Sequence, residues 1–476
     1  MDSQFKLKVW AGLALFSLLA SDLALAKDKK DAPPAAPGQA LTFAFVGCNR
    51  LPDADAKTVG SASTANVAQL KQTLADIAAL KPQYLFLAGD VVAGLKPGTT
   101  ELDQQLTDWK ALVKQAANIK DIKHFDPVQD AAKGISGLVV LTGNHEMLYK
   151  QSTKGDAASA AAATPTLVDD EDDTPGQTEF PNQAAYGYWQ DKMAHYIANT
   201  NGPGSGGKDM LQNDEKGLSY SFTVGANLFV ILNTDAQSQP NNPAVTPPAN
   251  GKTIGYIPLH WIKKTIQDAQ ADPKVANIFV MGHKPLIASK PKTATTGASA
   301  SASASASSSA SAASGADKIK VPGEKSILPD QAKKLFDLLN ANSKVRAYLA
   351  AHAHEWDFNK KMKKLGEDGH VPQIIAGNGG SPPKKSVWKD GYFGFTLVTI
   401  SDKGQITAQS YGRPICPQGD SWNAASATCT DPSKDQASCT PQVGIWDASN
   451  KVCTIPYYQQ AKVPAAVVKD GPYTLK

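Results

Sequence analysis

Five short polar clusters each follow an apolar run: Gly47-Cys48-Asn49-Arg50, Gly89-Asp90-Val91-Val92-Ala93-Gly94, Gly143-Asn144-His145-Glu146, Gly282-His283 and His352-Ala353-His354. Four of the eight histidines in the chain fall in these clusters. Imidazoles, a carboxylate and a side-chain amide together suit borderline divalent metals such as Zn, Mn, Fe or Ni. An aspartate can bridge two ions with its two oxygens. Two ions roughly 3.5–4 Å apart can generate a hydroxide nucleophile and stabilise both the attacking and leaving oxygens at phosphorus. The glycines let the backbone turn sharply, so that the ligands can converge. Singly, each cluster is a weak signal, because a histidine after a strand is most often structural. The ordered set carries the reading.

The elements that must position these clusters are legible as apolar periodicity. Strand patterns run over 41–46, 84–87 and 138–141. Amphipathic helices are predicted from Val67, Leu70, Leu74 and Ile77, ending at Pro82, and from Leu102, Leu106, Trp109 and Val113. A hairpin is predicted over 219–224 and 228–232, and a helix over 259–269. Further strands are predicted at 277–281, 345–350, 373–376, 395–400 and 405–410. Strands alternate with helices early and pair with each other later. That order predicts a layered α/β domain with two packed mixed sheets flanked by helices. Each polar cluster then falls at the carboxyl end of a strand, where ligands bind in open α/β sheets.

The chain has 476 residues and a formal net charge of +4, with no densely basic stretch. Neither a specific nucleic-acid partner nor a membrane partner is indicated. Lys6 and Lys8, an apolar run from Val9 to Leu19 and Ala24-Leu25-Ala26 form the pattern of a secretory leader cut after Ala26. A membrane anchor is the alternative, but the run is well short of the ~20 residues a spanning helix needs. The expected destination is periplasmic or secreted. Residues 27–40 read as a flexible lead-in. Insertions near 154–178, partly acidic, and 292–316, almost all Ser, Ala and Thr, are predicted to be mobile because neither can bury apolar surface.

Cys416, Cys429, Cys439 and Cys453 cluster in the segment 413–476, whereas Cys48 stands alone. The segment holds two copies of a Cys-Trp-Cys pattern, around Trp422 and Trp446. The repeat favours local pairing, Cys416–Cys429 and Cys439–Cys453, among three possible connectivities. A four-thiolate zinc site is the competing reading, but it lacks close Cys-x-x-Cys pairs. The two tryptophans could pack on the disulfides or stack on sugars.

The ordered set G-D-x-x-x-G, G-N-H-E, G-H and H-x-H resembles that of the calcineurin-like metallophosphoesterase superfamily, over residues 41–412. The resemblance implies a dinuclear metal centre and phosphoester hydrolysis by a metal-activated hydroxide. It implies that Asp90 bridges two ions, that Asn144, His283 and His352 complete one site, and that His354 binds the other. His145 would assist the leaving group, oriented by a carboxylate, and Asn144 and Arg50 would meet the phosphate. The main departure is the first cluster. The family opens with D-x-H, or with D-x-G in its purple acid phosphatase branch, which also has a Tyr where this chain has Ala93; here Cys48 and Arg50 stand at the opening positions. Cys48 is open to three readings: a thiolate metal ligand, a small buried thiol, or a redox-sensitive group. Asn49 could lend its amide oxygen to the first ion. Arg50 stays protonated and cannot ligate a metal, but its planar fork suits phosphate. The rival function is a catalytically altered member of the fold that binds a ligand or an envelope partner.

Overall fold

The computed structural model describes residues 40–117, 137–152, 177–242, 255–287, 326–366, 369–382, 392–416 and, beyond these, 421–423, 428–431, 434, 436–439, 445–456 and 466–476. The leader and nearly all of the lead-in lie outside the described residues. So do 154–176 of the first insertion and all of 292–316.

Strands β1 (Leu41–Val46), β2 (Tyr84–Ala88) and β3 (Gly137–Leu141) are parallel neighbours. Each is buried on both faces, which is why each reads as an unbroken apolar run. Between them lie α1 (Asp53–Thr58), α2 (Val67–Leu80) and α3 (Thr100–Ala117). The Asn66 side chain caps α2 by accepting from the Gln69 amide. Lys81, in the left-handed conformation just before Pro82, ends the helix. After β3 come α4 (Asn144–Met147), the hairpin β4 (Leu148–Ser152) and β5 (Gln177–Pro181), and α5 (Gln183–Lys192). Gln177 and Thr178, the last two residues of the first insertion, therefore open a strand.

The second half supplies β6 (Tyr220–Val224), β7 (Asn227–Leu232), α6 (Leu259–Ala271), β8 (Asn277–Gly282), α7 (Pro329–Asn340), β9 (Val345–Ala350), β10 (Trp356–Asn359) and β11 (Gln373–Ala376). Then follow β12 (Tyr392–Ile400), β13 (Ile406–Pro414), β14 (Ser421–Asn423), β15 (Thr428–Asp431), β16 (Ile445–Asp447), β17 (Val452–Pro456) and β18 (Val467–Leu475). One sheet has the order β18-β13-β12-β1-β2-β3, the other β10-β11-β9-β8-β7-β6.

The two sheets pack face to face. Alternate residues decide the layers: Phe43 and Phe45 of β1 point between the sheets, with Phe229, Ile231, Phe279 and Met281 opposite. Phe43 makes edge-on contacts with Phe86, Phe229 and Phe279 at 5.2–5.5 Å. Ala44 and Val46 belong to the opposite face, with Leu70, Leu74, Leu106 and Trp109 of α2 and α3. Val230, Leu232, Val280 and Tyr348 pack with α6 and α7 on the outside of the second sheet. The architecture is the helix-flanked sheet sandwich that the sequence predicts.

Cys416–Cys429 and Cys439–Cys453 are disulfides, as the repeat favours, so these four thiols hold no zinc. In both copies the tryptophan is in register with the second cysteine across a strand pair: Trp422 opposite Cys429, Trp446 opposite Cys453. The copies join through β15 and β17 into one four-stranded sheet. All four cysteines pack with Leu51, Ala56 and Phe393, and half-buried Trp446 joins them. The boundary drawn at 412/413 falls inside β13. Residues 467–475 then return to the first sheet as its edge strand.

Candidate metal centre

The parallel strands all present their carboxyl ends to one rim, and the polar clusters leave from there. The turns are tight and interlocked. The Cys48 amide donates to the Gly89 carbonyl, those of Asn49 and Arg50 to the Asp90 carbonyl, and that of Ala351 to the His283 carbonyl. Cys48, Asp90 and His352 all sit at positive φ, 54–60°. Non-glycine residues rarely adopt that region, at a cost of roughly 1–3 kcal/mol each, and they persist where the surrounding structure enforces them. Gly94 is required: a Cβ there would lie 1.7 Å from the His145 carbonyl oxygen. Hence the last glycine of G-D-x-x-x-G exists to let the Asp90 turn lie against the His145 turn.

Asp90, Asn144, His283 and His352 converge. Asn144 Oδ1 lies 3.1 Å from His283 Nε2 and 3.2 Å from His352 Nδ1. The two ring nitrogens are 3.2 Å apart, and Asp90 Oδ1 is 3.1 Å from His283 Nε2. Donors held by one ion at about 2.1 Å and at right angles would be roughly 3 Å apart, so these separations fit a shared cation. His283 Nδ1 donates to the Ala88 carbonyl at 2.6 Å, which turns Nε2 to the cluster. Burial would lower the pKa of His283, but the Asp90 charge and its hydrogen bond raise it to about 9. For Asp90, burial works upward, yet His283, His145 and Arg50 hold the carboxyl far below its usual range.

A second group shares Asp90. Ligand atoms of Cys48, Asp90 and His354 all lie within 4.8 Å of one another. His354 Nδ1 donates to the Pro382 carbonyl at 2.6 Å, which fixes the tautomer and orientation of its ring. Asn49 is 5% exposed. Its amide nitrogen donates to the Gly379 carbonyl at 2.9 Å, while its Oδ1 accepts no hydrogen bond among the described residues. An open buried acceptor is what a cation or a water would satisfy. Arg50 is 3% exposed, and its charge acts on both Asp90 and Cys48.

His145 differs from expectation in its orienting partner. Its Nδ1 meets the Ala93 carbonyl oxygen, where the sequence reading expected a carboxylate. The neighbouring carboxylate, Glu146, does another job: it accepts the backbone amides of Asp90, Val91, Val92 and Gly143. Four N–H donors match the ionised form, while burial and the Asp90 charge push its pKa up to about 7. Glu146 therefore fastens the Asp90 turn to the Asn144 turn.

Three features escaped the sequence reading. Glu179 of β5 accepts from Asn144 Nδ2 at 3.0 Å. Lys284, next to His283, is fully buried and pairs with Asp235 at 2.7 Å. Asn233-Thr234-Asp235 leaves β7 at the same rim: Thr234 Oγ1 accepts the Lys284 amide, and Asn233 donates to Glu215. The last cluster had a findable signal, since it too is polar sequence directly after an apolar strand.

No protein-family model matches the chain, and neither does any curated protein sequence. Among solved structures, the chain is similar to a purple acid phosphatase from yellow lupin (Lupinus luteus) seeds, with 13% identity and a TM-score of 0.42 over 80% of this chain and 52% of that one. It is similar to PhoD, with 14% identity and a TM-score of 0.40 over 80% of this chain and 67% of that one. It is also similar to a dimetal phosphatase from Danio rerio, with 10% identity and a TM-score of 0.41 over 78% and 96%. The chain thus spans about half the length of the lupin protein.

Proposed function

We propose that this protein is an exported, metal-dependent phosphoester hydrolase. The observation that carries the reading is the convergence of Asp90, Asn144, His283 and His352 at 3.1–3.2 Å on the strand-end rim. These four residues would hold one divalent cation. His354, with Asp90 shared, would hold a second, and Asn49 has a free oxygen to offer. Bound cations there supply an activated water and neutralise charge on phosphoryl oxygens.

The chain's own residues divide the remaining work. His145, with Nδ1 held by the Ala93 carbonyl, presents Nε2 as the proton donor to a leaving oxygen. Arg50 places a fixed positive charge beside Asp90, where it favours a phosphate dianion. Glu146 and Glu179 keep the Asp90 and Asn144 side chains aimed. The leader pattern and the two disulfides support export to an oxidising compartment. No helix among the described residues is long and apolar enough to cross a membrane.

A second reading rests on the first cluster. With Cys48 and Arg50 where the family has its opening metal ligands, the protein would be a binding module that has lost the chemistry. The test is metal content of the full chain purified without chelator, beside Asp90→Ala, with a screen of phosphomonoesters and phosphodiesters. About two ions per chain, lost in the variant together with turnover, is the expected result. Absence of any specific ion after reconstitution would favour the binding module.

A further inference from the structure

We propose that Cys48 is a ligand, as thiolate, of a cation site completed by Asp90 and His354, and that this site takes a thiophilic divalent ion of the zinc, cobalt or cadmium class rather than magnesium or manganese. The proposal rests on the metal-centre reading and names the ion class of its second position.

Three ligand atoms of different chemistry lie within 4.8 Å of one another: a thiol sulfur, a carboxylate oxygen and an imidazole nitrogen. At zinc bond lengths of about 2.3 Å to sulfur and 2.0–2.2 Å to nitrogen or oxygen, tetrahedral ligands sit roughly 3.4–3.6 Å apart. A contraction of at most about 1.4 Å would bring the observed group to that spacing. The imidazole is already set for ligation, because the Pro382 carbonyl takes Nδ1–H. The thiol is held in place by its own strained backbone. Cys48 has φ +60°, with its amide tied to Gly89 and its carbonyl accepting from Ser381.

The other readings of Cys48 fare worse. A redox sensor is a solvent-accessible thiol, whereas Cys48 is fully buried, and the other four cysteines, already paired in disulfides, offer it no resolving thiol. A merely space-filling residue gives no reason for a β-carbon in the left-handed region, where glycine is the unstrained choice. A soft thiolate beside an imidazole and a carboxylate selects borderline and soft metals over hard ones. When the ion binds, a sulfur–metal bond forms and the thiol proton leaves to solvent; no electron is transferred.

The experiment is a titration of chelator-stripped full chain with Co(II), then Cd(II) and Mn(II), read by ultraviolet–visible absorbance and by bound-metal stoichiometry. The wild type should develop a thiolate-to-cobalt charge-transfer band that saturates with one of its bound ions. Cys48→Ser should lose the band and weaken that ion by tenfold or more while keeping the other. Cys48→Asp should keep both ions without the band and shift preference from Cd(II) toward Mn(II). Circular dichroism checks that each variant is folded. Ions bound by the wild type without the band, or an unchanged titration in Cys48→Ser, would overturn the thiolate alone. Failure of both wild type and Cys48→Asp to bind any ion would overturn the metal centre beneath it.

Discussion

Asn144 shows how much a single side chain depends on its neighbour. An amide presents an oxygen on one side and an NH2 group on the other, and only the oxygen can meet a cation. Glu179, a pure acceptor when ionised, takes the NH2 group and so turns Oδ1 toward His283 and His352. Glu179→Ala should therefore weaken metal binding about 10–100-fold, as loss of a ligand's orienting partner does. Glu179→Gln retains an acceptor oxygen and should bind metal nearly as the wild type does. Isothermal titration of the two variants checks this, and equal losses in both would refute the orienting role. None of this was legible in the sequence. Gln177-Thr178-Glu179-Phe180-Pro181 has no motif character, and its partner lies 35 residues away. Asp90, His283, His352 and His354 were legible, because each sits directly where an apolar run stops.

At the scale of elements, the clusters are held by what lies behind them. The end of β7 rests on Glu215, whose two oxygens accept from Asn233 at 3.1 Å. Burial raises its pKa from 4.5 to about 8, outweighing the Asn233 and Ser219 hydrogen bonds that favour its charge. The folded chain therefore binds a proton that the unfolded chain releases above about pH 4.5. Stability from this group is fully present below that pH and declines as pH rises toward 8. Glu215→Gln should flatten that decline in urea unfolding measured between pH 5 and 9. A parallel slope in wild type and variant would show that Glu215 is ionised in the fold. The strands themselves were readable from apolar runs. Helix α7 carried a usable signal, with proline at its first turn and Leu335, Phe336 and Leu339 on one face. β18 was hidden by Gly471-Pro472, which argues against a strand, and it survives as an edge where a missing amide is tolerated.

Across the whole molecule, the segment after Pro414 is part of the structure that holds the rim. Its disulfides pack on Leu51 and Ala56, just past the first cluster, and Leu475 of β18 is buried with Ile406, Ala408 and Phe43. Leu475→Ala should cost about 2–4 kcal/mol in denaturant unfolding, as a core truncation rather than a tail substitution. A cost near zero would show β18 to be dispensable. Truncation at 413 would remove that strand too, so it does not isolate the Cys-Trp-Cys units.

The pairing of β1 with β12 has a consequence in time. Leu41 lies opposite Ile400, and Gly47 is bonded through its amide to Ala376 and through its carbonyl to Gly379. The first cluster is thus translated more than three hundred residues before the strands that hold it. Such long-range closure is slow, because the loop must be ordered before its contacts form. A nascent chain cannot assemble this centre from its early part. If the centre takes an ion as proposed, capture would be postponed until nearly the whole polypeptide is available, and the ion would be chosen where the chain finishes folding.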